Sequence, residues 1–477
     1  PRRALVSSGA TRIERTPAMG LKIGGRIDKV NGKDLSYRDF VNNYVVKNQP
    51  VVLTGLMDDW RACEDWVSPA GHPNLFFLSA HFGKSLVLVA DCDVREFTDQ
   101  KRIEMSVAEF IDHWAKNSAE NHMGSSNFEN SCKPLLYLKD WHFVKEYPQY
   151  SAYTTPTFFS DDWLNLYLNS YRMHMDPDFY QGNNEINCSD YRFVYMGVKG
   201  TWTPLHADVF RSHSWSANVF GKKQWHLLSP SQHHLVFDRN MKISVYDIFG
   251  DVSETKFPGF KKSIWLECTQ EQNEIIFVPS GWYHQVHNLE DTISVNHNWL
   301  NANNLSWVWD LLLRDYNEAR GYIEDIKDIC DDFEALCQRN LAANTGMNLC
   351  DFFIFITRFS LANLVLLCNK KGSSSPMERH LTSNLESIHE IASKMKVHEC
   401  FLGLSLDLRG ILGEAEFIEL CMGLGERYGL GVEEKGLVDG VGDFDFLRCS
   451  SPWVRMPDDL SELIVTALVE LGGLGAV

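Results

Sequence analysis

The stretch TPLHADVF, residues 203–210, sets His206 two positions before an acid, Asp208. Imidazole and carboxylate both suit a first-row metal such as iron, and two histidines with one carboxylate on one face leave coordination positions open for chemistry. In an extended strand residues i and i+2 point to the same side, so His206 and Asp208 can grip one ion. Alone, the pair says little. The chain holds a second one, His174-Met-Asp176, which reads as a surface turn because Pro177 and Asp178 come directly after it. The segment NEIIFVPSGWYHQVHNLEDTISVNHNWL, 273–300, offers three candidates for a third ligand: His284, His287 and His297. A regular strand turns positions 284 and 287 to opposite faces, so only one of them can reach the metal unless a bulge intervenes. Between these stretches lies FGKKQWHLLSP, where the turn at Gly221 places Lys223 on or beside a neighbouring strand, able to hold a carboxylate.

These residues need rigid strands to position them. From about 134 to 300 the runs LLYLKD, YRFVYMGV, SHSWSANVF, KQWHLLS, EIIFVPS and TISVNHNW are separated by Gly, Pro, Asn and Asp turns. Many short strands at this rhythm mean a β-sandwich or barrel. Upstream, 49–56 and 85–91 read as strands, while 36–46 and 106–116 open on Ser36 and Ser106, which can cap helices. After Trp299 the apolar spacing becomes helical, and 372–376, GSSSP, reads as an inter-helix loop. The expected organisation is a flexible segment over 1–19, N-terminal α/β elements over 20–133, a β catalytic domain over 134–302 and a helical region over 303–477. Beyond Gly403 the chain turns Leu- and Gly-rich, and its pattern assigns no elements.

Composition narrows the function. A net charge of −18 argues against a general nucleic-acid or anionic-membrane binder and suits a basic partner. Twelve cysteines lie scattered with no CxxC pair, so the spacing offers no zinc-bound reader module and fits reduced thiols in a cytoplasmic or nuclear protein. The run Phe352 to Cys368 is interrupted by Arg358 and short for a bilayer, which favours a buried helix. Residues 1–19 are Arg-bearing but lack the apolar stretch of a secretory signal.

The ordered set TPLHAD, GKK, PSGWYHQV and SVNHNW resembles the Jumonji-C oxygenases, the cupin-like branch of the Fe(II)- and 2-oxoglutarate-dependent dioxygenases. The resemblance covers roughly 134–300 and implies an α+β chain with a mainly β core, a double-stranded β-helix of the cupin or jelly-roll kind. It implies Fe(II) held by His206, Asp208 and His284, the last chosen because it stands five residues after Pro279 in the Pro-x-Gly-Trp turn. It implies 2-oxoglutarate and O2 as co-substrates, with Lys223, Tyr137 and Thr203 on the 2-oxoglutarate and Asn296 or Asn298 as the polar position of the last strand. Within the family, PLHADVFRSHSWSANVFGKKQW and HQVHNLEDTISVNHNW are most like lysyl hydroxylases that act on the class 1 translation termination factor. The resemblance thus implies a cytoplasmic protein hydroxylase, monomeric or homodimeric, acting on a protein rather than directly on nucleic acid or membrane.

Two other readings compete. A histone lysine demethylase of the same fold is disfavoured by the lack of a zinc-bound or chromatin-reader module. A catalytically dead cupin scaffold has no reason to keep His206, Asp208, His284 and Lys223 together.

Overall fold

The strands form where β-branched and aromatic side chains alternate with smaller or polar ones, because a pleated strand sends successive side chains to opposite faces. The computed structural model describes residues 11–12, 20–123, 134–173, 190–369, 376–395, 399–401, 404–430 and 451–471. In chain order the earlier strands are β1 (Thr11–Arg12), β2 (Lys22–Arg26), β3 (Lys29–Asn31), β4 (Val51–Thr54), β5 (Leu86–Glu96), β6 (Asp99–Ser106) and β7 (Leu136–Trp141). Next come β8 (Arg192–Gly197), β9 (Trp202–His206), β10 (His213–Phe220) and β11 (Lys223–Leu228). The set closes with β12 (Ile264–Gln270), β13 (Glu274–Val278), β14 (Tyr283–Asn288) and β15 (Thr292–Trp299).

They build a ten-stranded sheet in the order β1-β5-β7-β8-β15-β10-β13-β4-β3, with β6 paired to β5, and a five-stranded sheet ordered β2-β12-β11-β14-β9. The strands around the site pair antiparallel. Val52, Ile276 and Val278 of the larger sheet meet Trp225, Leu227, Cys268 and Val286 of the smaller one in a shared apolar core. Burying each large apolar side chain of this kind stabilises the fold by roughly 1.5–3 kcal/mol. The expected cupin-like double-stranded β-helix is the fold.

Two turns aim the strands beyond them. Gly221, at φ +81°, turns the chain from β10 into β11, and a Cβ there would sit 1.8 Å from the Asp291 carbonyl oxygen, so only glycine fits. Asn273, at φ 61°, makes the turn into β13, where asparagine tolerates the left-handed conformation.

The strand expected over 85–91 runs on to Glu96 and folds back through β6. The sequence DQKRIEMS shows no apolar alternation, so β6 owes its extended form to pairing with β5 rather than to pattern. Ser106 caps the next helix, Val107–Met123, reciprocally with Glu109: the Ser106 hydroxyl accepts from the Glu109 N–H, and the Glu109 carboxylate accepts from the Ser106 N–H.

Two compact units are present, one of Pro1–Pro156, Tyr191–Asp208 and His213–Asn298, the other of Thr157–Asp190, Val209–Ser212 and Trp299–Val477. The second is mainly helical among its described residues, with one short antiparallel pair, Leu406–Asp407 against Trp453–Val454. The strand-rich reading of 134–300 passes over one of its helices, Trp163–Ser170, whose apolar residues are buried nearly all round and so show no amphipathic period. The helix Leu349–Cys368 opens on a capping box between Asn348 and Asp351. It is long and apolar enough to span a bilayer by composition, but 78% of that apolar window is buried, as expected of a core helix. Its Arg358 donates a 2.6 Å hydrogen bond to the Tyr167 hydroxyl. The Gly-rich tail, unassigned by pattern, forms Ala415–Arg427 and Pro457–Glu470. Residues 174–189, with His174 and Asp176, and most of 1–19 lie outside the described residues.

Candidate metal and co-substrate site

β9 and β14 lie side by side with His206 opposite His284, and the two imidazole rings stand 4.3 Å apart. Asp208 completes the group: one ligand atom from each of the three side chains lies within 4.8 Å of the others. The route differs from the expected one in a local detail. β9 ends at His206, so Asp208 stands in the turn just past the strand. Phe210 and Arg211 then take left-handed conformations, at φ 56° and 54°, which cost roughly 1 kcal/mol or more each. That strain is confined to the turn between Asp208 and β10.

Hydrogen bonds fix which ring nitrogens are available. His206 Nδ1 lies 2.8 Å from the Pro204 carbonyl and His284 Nδ1 lies 3.2 Å from that of Trp282. A carbonyl only accepts, so each Nδ1 carries the proton and each Nε2 keeps its lone pair for a metal. Burial and then the neighbouring His206 push His284 down to about 4, against the opposing pull of Asp208, so its ring is neutral at pH 7 as a ligand must be. The Ser214 hydroxyl on β10 donates to Asp208 Oδ2 at 2.7 Å, which orients the carboxylate. Ser214→Ala is expected to weaken metal binding about 10- to 100-fold without unfolding the chain, as measured by titration with Mn(II).

The rival histidines point elsewhere. His287 lies on the opposite face of β14, stacked on Trp202 at 5.5 Å with its Nε2 bonded to the Gln285 amide. His297 is bonded to the Tyr153 hydroxyl at 2.6 Å and packed on Trp215. Burial holds it well below the usual histidine range. Trp202 and Trp215 are both core residues.

Lys223 points into the same interior. It is 2% exposed, donates to the Ser294 hydroxyl at 2.7 Å and reaches the Tyr137 hydroxyl at 3.5 Å. Among the described residues no carboxylate pairs with it, and burial alone pulls its ammonium down to about 7. A buried cation without a counter-ion is costly, and a bound carboxylate would relieve that cost. Thr203 reaches this interior through a bulge: the three steps of β9 from Thr203 to His206 span the two steps of β14 from Val286 to His284. The bulge turns Thr203 to the face of His206, where it is half-buried.

Asn296 donates to Ser294 Oγ at 3.1 Å, whereas Asn298 lies two residues farther along β15 with its backbone N–H on the Tyr191 carbonyl. The structure therefore gathers His206, Asp208 and His284 at one point and Lys223 with Tyr137 at another, and links Asn296 to the second through Ser294. Sequence reasoning missed Ser214 and Ser294. Their only signal was a serine at an inward position of a strand otherwise suited to apolar residues. The donor set suits a first-row divalent metal such as Fe(II), and the unpaired Lys223 suits the distal carboxylate of 2-oxoglutarate.

Comparison with known proteins agrees with this chemistry. The profile of a family described as a cupin-like domain matches residues 37–304. The chain is 60% identical over 424 residues to the arginine-specific demethylase JMJ20 of Arabidopsis thaliana, covering 86% of this chain and 88% of that protein. It is 39% identical over 328 residues to the 2-oxoglutarate and iron-dependent oxygenase JMJD4 of Danio rerio, covering 68% and 72%. With JMJD4 of Homo sapiens it shares 35% over 336 residues, covering 70% and 75%. With a His-Asp-His cluster, a buried lysine that no carboxylate among the described residues pairs with, this fold and these relatives, the chain belongs to the cupin-like JmjC family and is a 2-oxoglutarate- and iron-dependent oxygenase.

Proposed function

We propose that this oxygenase hydroxylates a lysine side chain of a protein, the eukaryotic class 1 translation termination factor, in the cytoplasm. The observation that carries this reading is the pair of runs PLHADVFRSHSWSANVFGKKQW and HQVHNLEDTISVNHNW, with their likeness to lysyl hydroxylases of that factor. The charge of −18 supports it, since an acidic body draws in a basic loop through long-range attraction that salt weakens. When bound, Fe(II) and 2-oxoglutarate together supply the activation of O2, giving hydroxylated product, succinate and carbon dioxide. The chain's own residues do the rest. His206, Asp208 and His284 hold the metal on one face, Lys223 and Tyr137 fix the distal carboxylate, and the buried walls exclude water.

A second reading, removal of a methyl group from an arginine, is favoured by the name of the 60% identical relative. The two differ in where the attacked C–H lies. A hydroxyl on the carbon stem of a lysine is stable, whereas one on an N-methyl carbon is lost as formaldehyde.

Purified enzyme with Fe(II) and 2-oxoglutarate should add one oxygen to a lysine of the intact factor, seen by mass spectrometry and absent with Asp208→Ala. Raising the salt should slow that reaction. Formaldehyde release from methylarginine or methyllysine histone peptides, with no oxygen added to the factor, would make demethylation the better reading.

A further inference from the structure

Two cysteines far apart in sequence meet in the helical unit. Cys350 lies in the first turn of the helix Leu349–Cys368, and Cys400 lies in the single turn Glu399–Phe401. The Cys350 thiol donates to the Cys400 carbonyl oxygen at 3.1 Å. The Cys400 thiol in turn hydrogen-bonds the Cys350 sulfur, so the two side chains touch. Both are free thiols and both are partly exposed, which leaves them open to a small reagent.

Their neighbours hold them there. The capping box fixes the start of the helix, with the Asn348 side chain accepting from the Asp351 N–H at 2.8 Å and the Asp351 carboxylate accepting from the Asn348 N–H at 3.0 Å. A first turn satisfied in this way resists fraying. The Leu349 N–H, next to Cys350, donates to the Gln338 side-chain oxygen at 3.0 Å. On the other side Phe401 follows Cys400 directly. Its ring packs against Phe353, with ring centres 5.2 Å apart, and both rings are buried. Phe353 lies three residues after Cys350 and so shares its face of the helix. The contact between the thiols is thus maintained by packing and capping on both sides, and a covalent bond between them needs no refolding. Two thiols held together in this way close a ring at high effective concentration.

We propose that Cys350 and Cys400 are a redox modification site, a dithiol that low-molecular-weight disulfides such as glutathione disulfide convert reversibly to an intramolecular disulfide. Donation of its proton to the Cys350 sulfur, and then burial, hold the Cys400 thiol above the usual cysteine range. Cys400 therefore keeps its proton, and Cys350 supplies the attacking thiolate. That thiolate attacks one sulfur of glutathione disulfide, whose S–S bond breaks, and the expelled glutathione thiolate takes up the proton that Cys350 gave away. Cys400 then attacks the Cys350 sulfur of the mixed disulfide, and its proton goes to the second departing glutathione. The protein loses two electrons and one glutathione disulfide becomes two thiols. In a reducing compartment the pair rests as thiols, and the disulfide forms only when the thiol pool is oxidised.

The test is to equilibrate the full chain in glutathione buffers of rising disulfide fraction, block free thiols with iodoacetamide and map the peptides by mass spectrometry without reduction. A cross-linked peptide joining Cys350 to Cys400 should appear, two hydrogens lighter than its parts, and dithiothreitol should remove it. Cys400→Ser should instead accumulate glutathione on Cys350, while Cys350→Ser should leave Cys400 largely unmodified. The cross-link closes a loop of about 50 residues, so the oxidised wild-type protein should unfold about 5–10 °C higher than the reduced one. The same treatment should leave the midpoint of Cys400→Ser unchanged, which separates the cross-link from general effects of the buffer. Recovery of Cys350 and Cys400 as separate alkylated or glutathione-bearing peptides in the oxidised wild-type protein would overturn the proposal, and so would a cross-link that leaves the midpoint where it was. Equal glutathione on Cys400 in Cys350→Ser and on Cys350 in Cys400→Ser would overturn the order of attack.

Discussion

Asp208→Ala is expected to abolish turnover while the barrel stays folded. Asp208 lies beyond the end of β9, half-buried, and holds a hydrogen bond from Ser214. The apolar core beneath the site is built instead by Trp225, Leu227, Val286 and their neighbours, which the substitution does not touch. Removal leaves two imidazoles and no carboxylate ligand, too few to hold a divalent ion in an open site. Metal titration should show the loss directly, with circular dichroism unchanged and succinate formation at background. His284→Ala should behave alike, whereas His287→Ala, on the far face of β14, should keep its metal. An active Asp208→Ala protein, or loss of metal from His287→Ala but not from His284→Ala, would refute the ligand set.

Lys223→Met should move binding and stability in opposite directions. The variant leaves the co-substrate's distal carboxylate without a charge partner, at a cost of roughly 2–5 kcal/mol, or about 30-fold to several thousand-fold in affinity. The ligand-free protein should at the same time become more stable. Burial lowers the ammonium of Lys223 from 10.5 to about 7 in the folded chain. Between those values the unfolded chain binds more protons than the folded one, so the stability contributed by this group rises with pH through the window. Below pH 7 the folded protein carries the full penalty, on the order of 2–4 kcal/mol, which methionine removes. Thermal unfolding of the wild-type protein relative to Lys223→Met should therefore show the largest gap near pH 6–7 and almost none near pH 10. A gap that stays constant with pH would show that Lys223 is not the titrating group. Binding of 2-oxoglutarate above pH 7 should take up a proton, visible as a dependence of binding heat on the buffer.

Local pattern made much of this protein legible before any fold was known. The strand rhythm between 134 and 300 comes from side-chain alternation, and Gly221 and Asn273 mark turns that need left-handed backbone. The metal pair His206 and Asp208 could be read because two ligands sit within three residues of each other. Alternation also reduced His284 and His287 to one choice, but not to which one. The family resemblance pointed to His284, and tertiary structure supplies the physical reason by setting His284 opposite His206 across the β9–β14 pair and turning His287 onto Trp202. It alone brought Thr203 to the metal face, since the bulge in β9 breaks the period of two on which sequence reasoning depends. Helix Trp163–Ser170 was invisible because an element buried all round has no polar face to reveal its period. Ser214 and Ser294 were invisible for a different reason. A serine carries no chemistry in its sequence neighbourhood, and these two gained theirs from Asp208 on the preceding turn and Lys223 on the opposite sheet.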